Sequence, residues 1–135
     1  MRVFLDANIL FSGAQLHSRM RAFLEVLFKH GECVTNAYAV EEARRNLELK
    51  CPTALRHLDA LVKNCELIPF SVTDLEVELP LKDVPILGGA VAGHATHLLT
   101  GDQRDFGVYF GKTIHGLKIV SPKMLADELV HRGLL

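Results

Sequence analysis

A disulfide framework, a strong net charge and a membrane-length apolar run are all missing from this chain, and each absence removes a class of protein. The 3 cysteines, Cys33, Cys51 and Cys65, are odd in number and show no C-x-x-C spacing, so they read as reduced core thiols. A reducing, cytoplasmic setting is expected. The formal net charge is -1 and the sequence pI is near 6.6, which gives no whole-molecule basic field. Any nucleic-acid partner must therefore be held by a local patch. No apolar stretch approaches the ~20 residues of a membrane span. Met1-Arg2 leads straight into a short strand with no signal-peptide core, so an unexported protein without a membrane span is expected. There is no internal repeat, linker or low-complexity segment. Ser12, Ser18, Ser71 and Ser121 stand in no context that pairs a nucleophile with a base, and His94 and His97 read as loop residues at a helix-to-strand turn. No basic motif interleaved with aromatics announces base stacking, and Phe11 and Phe106 read as core residues.

What the chain does have is core. Its 135 residues are 49% hydrophobic with a mean hydropathy of +0.19, enough for one domain spanning 1–135 to bury most of its unfolded surface. A strand is expected over about Arg2 to Asp6, followed by a short apolar turn or helix from Ala7 to Gly13. Roughly Ser18 to His30 has Met20, Phe23, Leu24, Leu27 and Phe28 at helical spacing, with Gly31 as its stop. Glu32 to Thr35 is β-prone. Asn36 is placed to cap a helix reaching about Lys50, and Pro52 opens another to about Lys63. Cys65 to Phe70 returns to strand, and the run from Thr73 to Lys82 is ambiguous. A helix from Asp83, a strand ending at Asp102, a turn at Asp105-Phe-Gly, a strand over Lys118 to Val120 and a terminal helix from Pro122 with Met124, Leu125, Leu129 and Val130 complete the chain. Strands alternating with helices argue an α/β domain with a mostly parallel sheet covered on both faces.

In such a fold the acids become informative. Asp6 ends an apolar strand, Asp102 ends another, and Asp83 opens the apolar helical run Val84-Pro-Ile-Leu-Gly-Gly-Ala90. Strands of a parallel sheet finish, and the helices packed on it begin, at the carboxyl edge, where such sheets bind ligands. The three carboxylates should therefore converge, and converging acids call for a divalent cation. Each also has a plainer reading: Asp83 as a helix N-cap, Asp102 and Asp105 as turn residues. On the helix after Asn36 the apolar stripe is Ala39, Val40, Ala43 and Leu47, and Glu42 lies nearer its edge than Glu41 does. Glu42 either borders the cleft or belongs with Glu41 to a solvated face balanced by Arg44 and Arg45.

Four segments carry a resemblance: Val3-Phe-Leu-Asp6-Ala-Asn8-Ile-Leu-Phe-Ser-Gly13, Val40-Glu-Glu42-Ala-Arg-Arg-Asn-Leu47, Asp83-Val-Pro-Ile-Leu-Gly-Gly-Ala90 and Leu99-Thr100-Gly-Asp102-Gln-Arg-Asp105-Phe106. Together, and in this order, they resemble the motifs of PIN-domain ribonucleases, including VapC-like toxins and other stand-alone PIN proteins. The resemblance implies a three-layer α/β/α fold with a mostly parallel central sheet. It implies Asp6, Glu42, Asp83 and Asp102 as the catalytic metal carboxylates, Asp105 as an accessory metal acid, and Asn8 and Thr100 as polar supports. It further implies Mg²⁺ or Mn²⁺ as cofactor, hydrolysis of RNA, a protein antitoxin as partner and a homodimer. The chemistry agrees with that donor set. Crowded carboxylates repel one another until a cation relieves them, and hard divalent ions prefer all-oxygen ligands over the nitrogen and sulfur favoured by zinc. Two such ions would clamp the attacking and leaving oxygens of a phosphodiester without any protein nucleophile. Arg45 and Arg104 are the local candidates for phosphate contact, with ordinary solvated surface as the alternative. Two other classes are weighed beside the nuclease. One is a non-catalytic metal- or RNA-binding module with the same crevice. The other is a phosphoryl-transfer domain using Asp6 as nucleophile, against which Asp6-Ala-Asn8 lacks a second aspartate two residues on.

Overall fold

The computed structural model describes residues 1–69 and 77–135. The strands are β1 (Arg2–Leu5), β2 (Glu32–Asn36), β3 (Glu66–Ile68), β4 (His97–Leu99), β5 (Thr113–Ile114) and β6 (Leu117–Val120). The helices are α1 (Ala7–Gly13), α2 (Arg19–His30), α3 (Ala37–Lys50), α4 (Leu55–Val62), α5 (Val84–Ala92), α6 (Gln103–Phe106) and α7 (Pro122–His131). Short 3₁₀ turns at Pro52–Ala54, Leu81–Asp83 and Gly107–Tyr109 join them. The expected strand at Phe70, Ser71, and the ambiguous run over Thr73 to Glu76 fall outside the described residues.

The strands form one six-stranded sheet in the order β3-β2-β1-β4-β6-β5, parallel throughout except for the β5–β6 pair. Val3, Phe4 and Leu5 of β1 and Leu98 and Leu99 of β4 are all buried, the continuous apolar pattern of a strand covered on both faces. From β1 the chain steps through β2 to the β3 edge, then crosses back to β4 on the other side of β1. Right-handed connections place the helices of the outward steps on one face and α5 on the other, which gives the three-layer α/β/α architecture. The reversal lies between β1 and β4. That is the switch point at which a parallel sheet opens a crevice beyond its carboxyl edge.

Local chemistry sets the helix boundaries. The Ser18 side chain caps α2 through Arg21 N, Asn36 caps α3 through Ala39 N at 2.9 Å, and Ser121 caps α7 through Met124 N. Gly89, inside α5, packs against the sheet so closely that a Cβ would lie 2.5 Å from Asn36 Nδ2 and 3.3 Å from Phe4 Cε2. The hairpin joining β5 to β6 turns at His115 and Gly116, both at positive φ (50° and 82°), the conformation of a tight two-residue turn.

Several expectations need correction. His97 is not a loop residue: it begins β4, is buried, and its Nε2 pairs with Glu128 of α7 at 2.9 Å while Nδ1 meets Thr96 Oγ1 at 2.7 Å. Asp105-Phe106 is helix, not turn, because Asp102 caps it. Val130 is 56% exposed and leaves Leu125 and Leu129 to dock α7. Phe11 is half-buried and packs against the core, whereas Phe106 is fully buried within it. Cys51 and Cys65 are only half-buried; Cys33 lies in the core, and burial pushes the Cys33 and Cys65 thiols up to about 12. Among the described residues no helix is long and apolar enough to cross a membrane.

Candidate metal centre

The ends of β1 and β4, the start of α5 and one face of α3 meet in a cleft of about 200 Å³. Asp6, Glu42, Asp83 and Asp102 all line it. Asp6 follows β1, Asp102 lies just beyond β4, and the backbone N–H of Asp6 donates to Leu99 O at 3.1 Å, which fixes both strand ends side by side. One oxygen each of Asp83, Asp102 and Asp105 falls within 4.8 Å of the others. Glu42 faces the cleft, one-third of the way along α3, while Glu41 is exposed on the far side.

Asp6 is 4% exposed and every contact orients it. Its Oδ1 accepts from Ala7 N at 2.6 Å, and its Oδ2 accepts from Thr100 Oγ1 at 2.7 Å and Asn8 Nδ2 at 3.2 Å. Thr100 Oγ1 in turn accepts from Asp102 N at 3.1 Å, and Asn8 Oδ1 accepts from Gly101 N at 2.8 Å. Asn8 and Thr100 therefore tie the two strand-end acids into one network. With both Asp6 oxygens engaged and almost no exposed surface, the carboxylate is badly placed to attack phosphorus, which weighs against the aspartyl-phosphate alternative. Asp102 accepts from Arg104 N at 3.0 Å and Asp105 N at 3.1 Å, the backbone donors at the start of α6.

The N-cap reading is inverted by these contacts. Asp83 was the acid best explained as a cap, yet its side chain makes no cap bond, while Asp6 and Asp102 do cap their helices. Asp83 is 7% exposed, and no hydrogen-bond donor among the described residues reaches its Oδ2. A buried carboxylate oxygen left unsatisfied costs about 1–3 kcal/mol or more, so its position requires a further partner.

Electrostatics point to what that partner is. Burial raises the Asp6 carboxyl to about 6 against the opposing Thr100 and Ala7 hydrogen bonds, with Glu42 and Asp102 adding repulsion. Burial, then the neighbouring Asp105 carboxylate, raises the Asp83 carboxyl well above the usual range. Asp105 moves the other way, lowered by that Asp83 contact and by Lys82, whose Nζ lies 3.3 Å from its Oδ2. An oxygen-only donor set whose acids are pushed toward the protonated form by burial and then by one another, and which carries an unsatisfied buried oxygen, fits a hard divalent cation. Asp6, Glu42, Asp83 and Asp102 would hold it, with Asp105 beside them.

The cleft also contains residues to which the sequence reading gave no part in the site. Phe11, Asn46, Lys50 and Lys82 line it, and Lys50 Nζ sits 5.8 Å above the centre of the Phe11 ring. Tyr38 lies near Glu42 and Asp83, and burial followed by those charges raises its hydroxyl. Helical spacing would have found Asn46 and Lys50, four and eight residues after Glu42 on the same face. Arg45 and Arg104 are exposed, and Arg44 is paired with Asp59 at 2.8 Å.

No family model matches the chain, and no curated protein is similar enough to match it. Solved structures do match. A chain of VapBC2 from Rickettsia felis, crystallised bound to a DNA fragment from their promoter, is 22% identical with a TM-score of 0.67, covering 90% of this chain and 98% of that one. A chain of FitAcB from Neisseria gonorrhoeae is 16% identical with a TM-score of 0.61 over the same shares. The chain shares the three-layer α/β/α fold of these two chains. At such identity the likeness extends to the backbone, and the chemistry has to be argued from the cleft.

Proposed function

We propose that the chain is a Mg²⁺- or Mn²⁺-dependent endoribonuclease acting as one unit over residues 1–135. The observation that carries this reading is the convergence of Asp6, Glu42, Asp83 and Asp102 on one cleft with Asp83 Oδ2 buried and unpartnered. When bound, the metal supplies Lewis acidity and a lowered water pKa for in-line attack on a phosphodiester. The protein's own part is to hold the acids. Thr100 and Asn8 fix the Asp6 oxygens, the first turn of α6 fixes Asp102, and the carboxyl edge of the sheet keeps both rigid. Arg104, on the first turn after Asp102, and Arg45, on the turn after Glu42, stand exposed beside the cleft as contacts for RNA phosphates.

The structural neighbours are toxin–antitoxin complexes, which supports a toxin role with a protein antitoxin as partner. A homodimer in the cytoplasm belongs to the same reading, and the free thiols of Cys33, Cys51 and Cys65 accord with a reducing compartment. Metal-replete protein incubated with a mixed RNA pool should create new ends at defined positions, and Asp6→Asn and Asp102→Asn should create none. A wild type that binds RNA yet leaves every molecule intact, as Asp6→Asn does, would replace the nuclease with a binding module.

A further inference from the structure

Resting on the ribonuclease reading, we propose that Phe11, Asn46 and Lys50 form a subsite for one unpaired nucleoside and its distal phosphate, with Phe11 stacking the base and Lys50 holding the phosphate. The acids account for only one end of the cleft. Its other end runs along α3, where Glu42, Asn46 and Lys50 succeed one another at four-residue intervals on a single face, all lining the cavity. Chemically this row passes from anion to amide to cation over about 12 Å of helix. A ligand matching the row carries its metal-bound phosphate at the Glu42 end, a neutral group with donors and acceptors over Asn46, and a second negative charge at Lys50. A nucleoside flanked by two phosphates has that order.

Phe11 supplies the remaining element. It lines the cleft from α1, half-buried and packed against the core, with the Lys50 ammonium 5.8 Å from the centre of its ring. Lys50 is exposed at the last turn of α3 on a flexible four-carbon stem. Its contact with the ring is weak at an exposed site, so an incoming base can take the ring face while the ammonium moves to the phosphate. The Asn46 amide has no hydrogen-bond partner among the described residues and is able both to give and to accept at a base edge. A base already paired and stacked within a helix cannot reach Phe11, so duplex RNA is a poor fit.

Steady-state cleavage in Mn²⁺ of a short unstructured RNA, and of the same sequence closed into a hairpin stem, tests this. Phe11→Leu keeps apolar bulk but removes the π face. It should raise KM for the unstructured RNA about tenfold with kcat little changed, and Phe11→Trp should restore it. Lys50→Gln should raise KM and lower the salt slope by about one unit. Both variants should keep the wild-type Mn²⁺-induced rise in melting temperature, which reports an intact fold and metal site. Wild type should prefer the unstructured RNA, and Phe11→Leu should lose most of that preference. If Phe11→Leu failed to fold, Lys50→Gln, changed at an exposed position, would carry the test alone. Unchanged KM and unchanged strand preference in folded variants of an active enzyme would overturn the subsite and leave the nuclease standing. A wild type that cleaves neither RNA would overturn both.

Discussion

Replacing Asp6 by asparagine removes a charge the fold has to bury, so it should stabilise the metal-free protein, and more so at higher pH. The carboxyl is raised to about 6 in the folded state from an ordinary 3.8, with burial as the main cause. A group whose folded pKa lies above its unfolded value adds stability below the unfolded pKa, and that stability is lost as pH rises through the folded one. For Asp6 the full loss amounts to about 3 kcal/mol, of which about 1.4 kcal/mol falls between pH 5 and pH 8. Asparagine does not titrate, so the difference in stability between Asp6→Asn and wild type should grow by that 1.4 kcal/mol over this interval. In melting temperature this is about 5 °C for a chain of this size. The absolute offset is smaller than the charge alone suggests, because an asparagine Nδ2 in place of Oδ2 would face the Asn8 amide as donor against donor. The pH trend is free of that offset, and titrating groups that do not interact with Asp6 cancel in the difference. Saturating Mg²⁺ should reverse the order. A ligand at 100 times its Kd stabilises the native wild type by about 2.7 kcal/mol, and the variant should lose most of that response. Thermal melts of both proteins in EDTA and in Mg²⁺ at pH 5, 6, 7 and 8 give the answer. A difference that stays flat across pH, or equal responses to the ion, would refute both the buried-charge argument and the placement of the metal.

Cleavage of RNA should fall about 10²-fold or more in Asp6→Asn and Asp102→Asn, measured as initial rates on an end-labelled RNA. Glu42→Gln should be similarly severe and Glu41→Gln nearly silent, because only Glu42 faces the cleft; equal effects would undo that assignment. Arg104→Ala should weaken RNA binding and flatten its salt dependence while bound RNA is cleaved at close to the normal rate. Gly89→Ala should lower stability by about 1–3 kcal/mol in denaturant melts. Its methyl would displace the Asn36 amide that caps α3 and donates to Pro85 O at 3.1 Å.

The edge-of-sheet logic that brings Asp6 and Asp102 together needs only strand ends and parallel topology, so it was legible from residues alone. The helix wheel put Glu42 nearer the apolar stripe than Glu41 but left a solvated face open for both, and the choice of Glu42 rested on the resemblance. Capping was legible for Asn36, where one side chain meets one nearby N–H, and misleading for the acids. Asp83 has the sequence context of a cap but not the bond, because its carboxyl turns to Asp105, a residue 22 positions along the chain whose placement depends on α6. His97 shows the same limit. Its place beside the helix-to-strand turn hid two tertiary facts: its ladder with β1 and β6 makes it a strand residue, and the docking of α7 brings Glu128 to its Nε2. Lys82 was invisible, and Phe11 was read as core alone, for a related reason: an ammonium beside Asp105 and a ring near Lys50 are defined by elements that meet only after folding. Local sequence thus marks which residues reach the edge of the sheet. Which of them stay unsatisfied there, and so demand a ligand, is decided by the tertiary contacts that consume the rest.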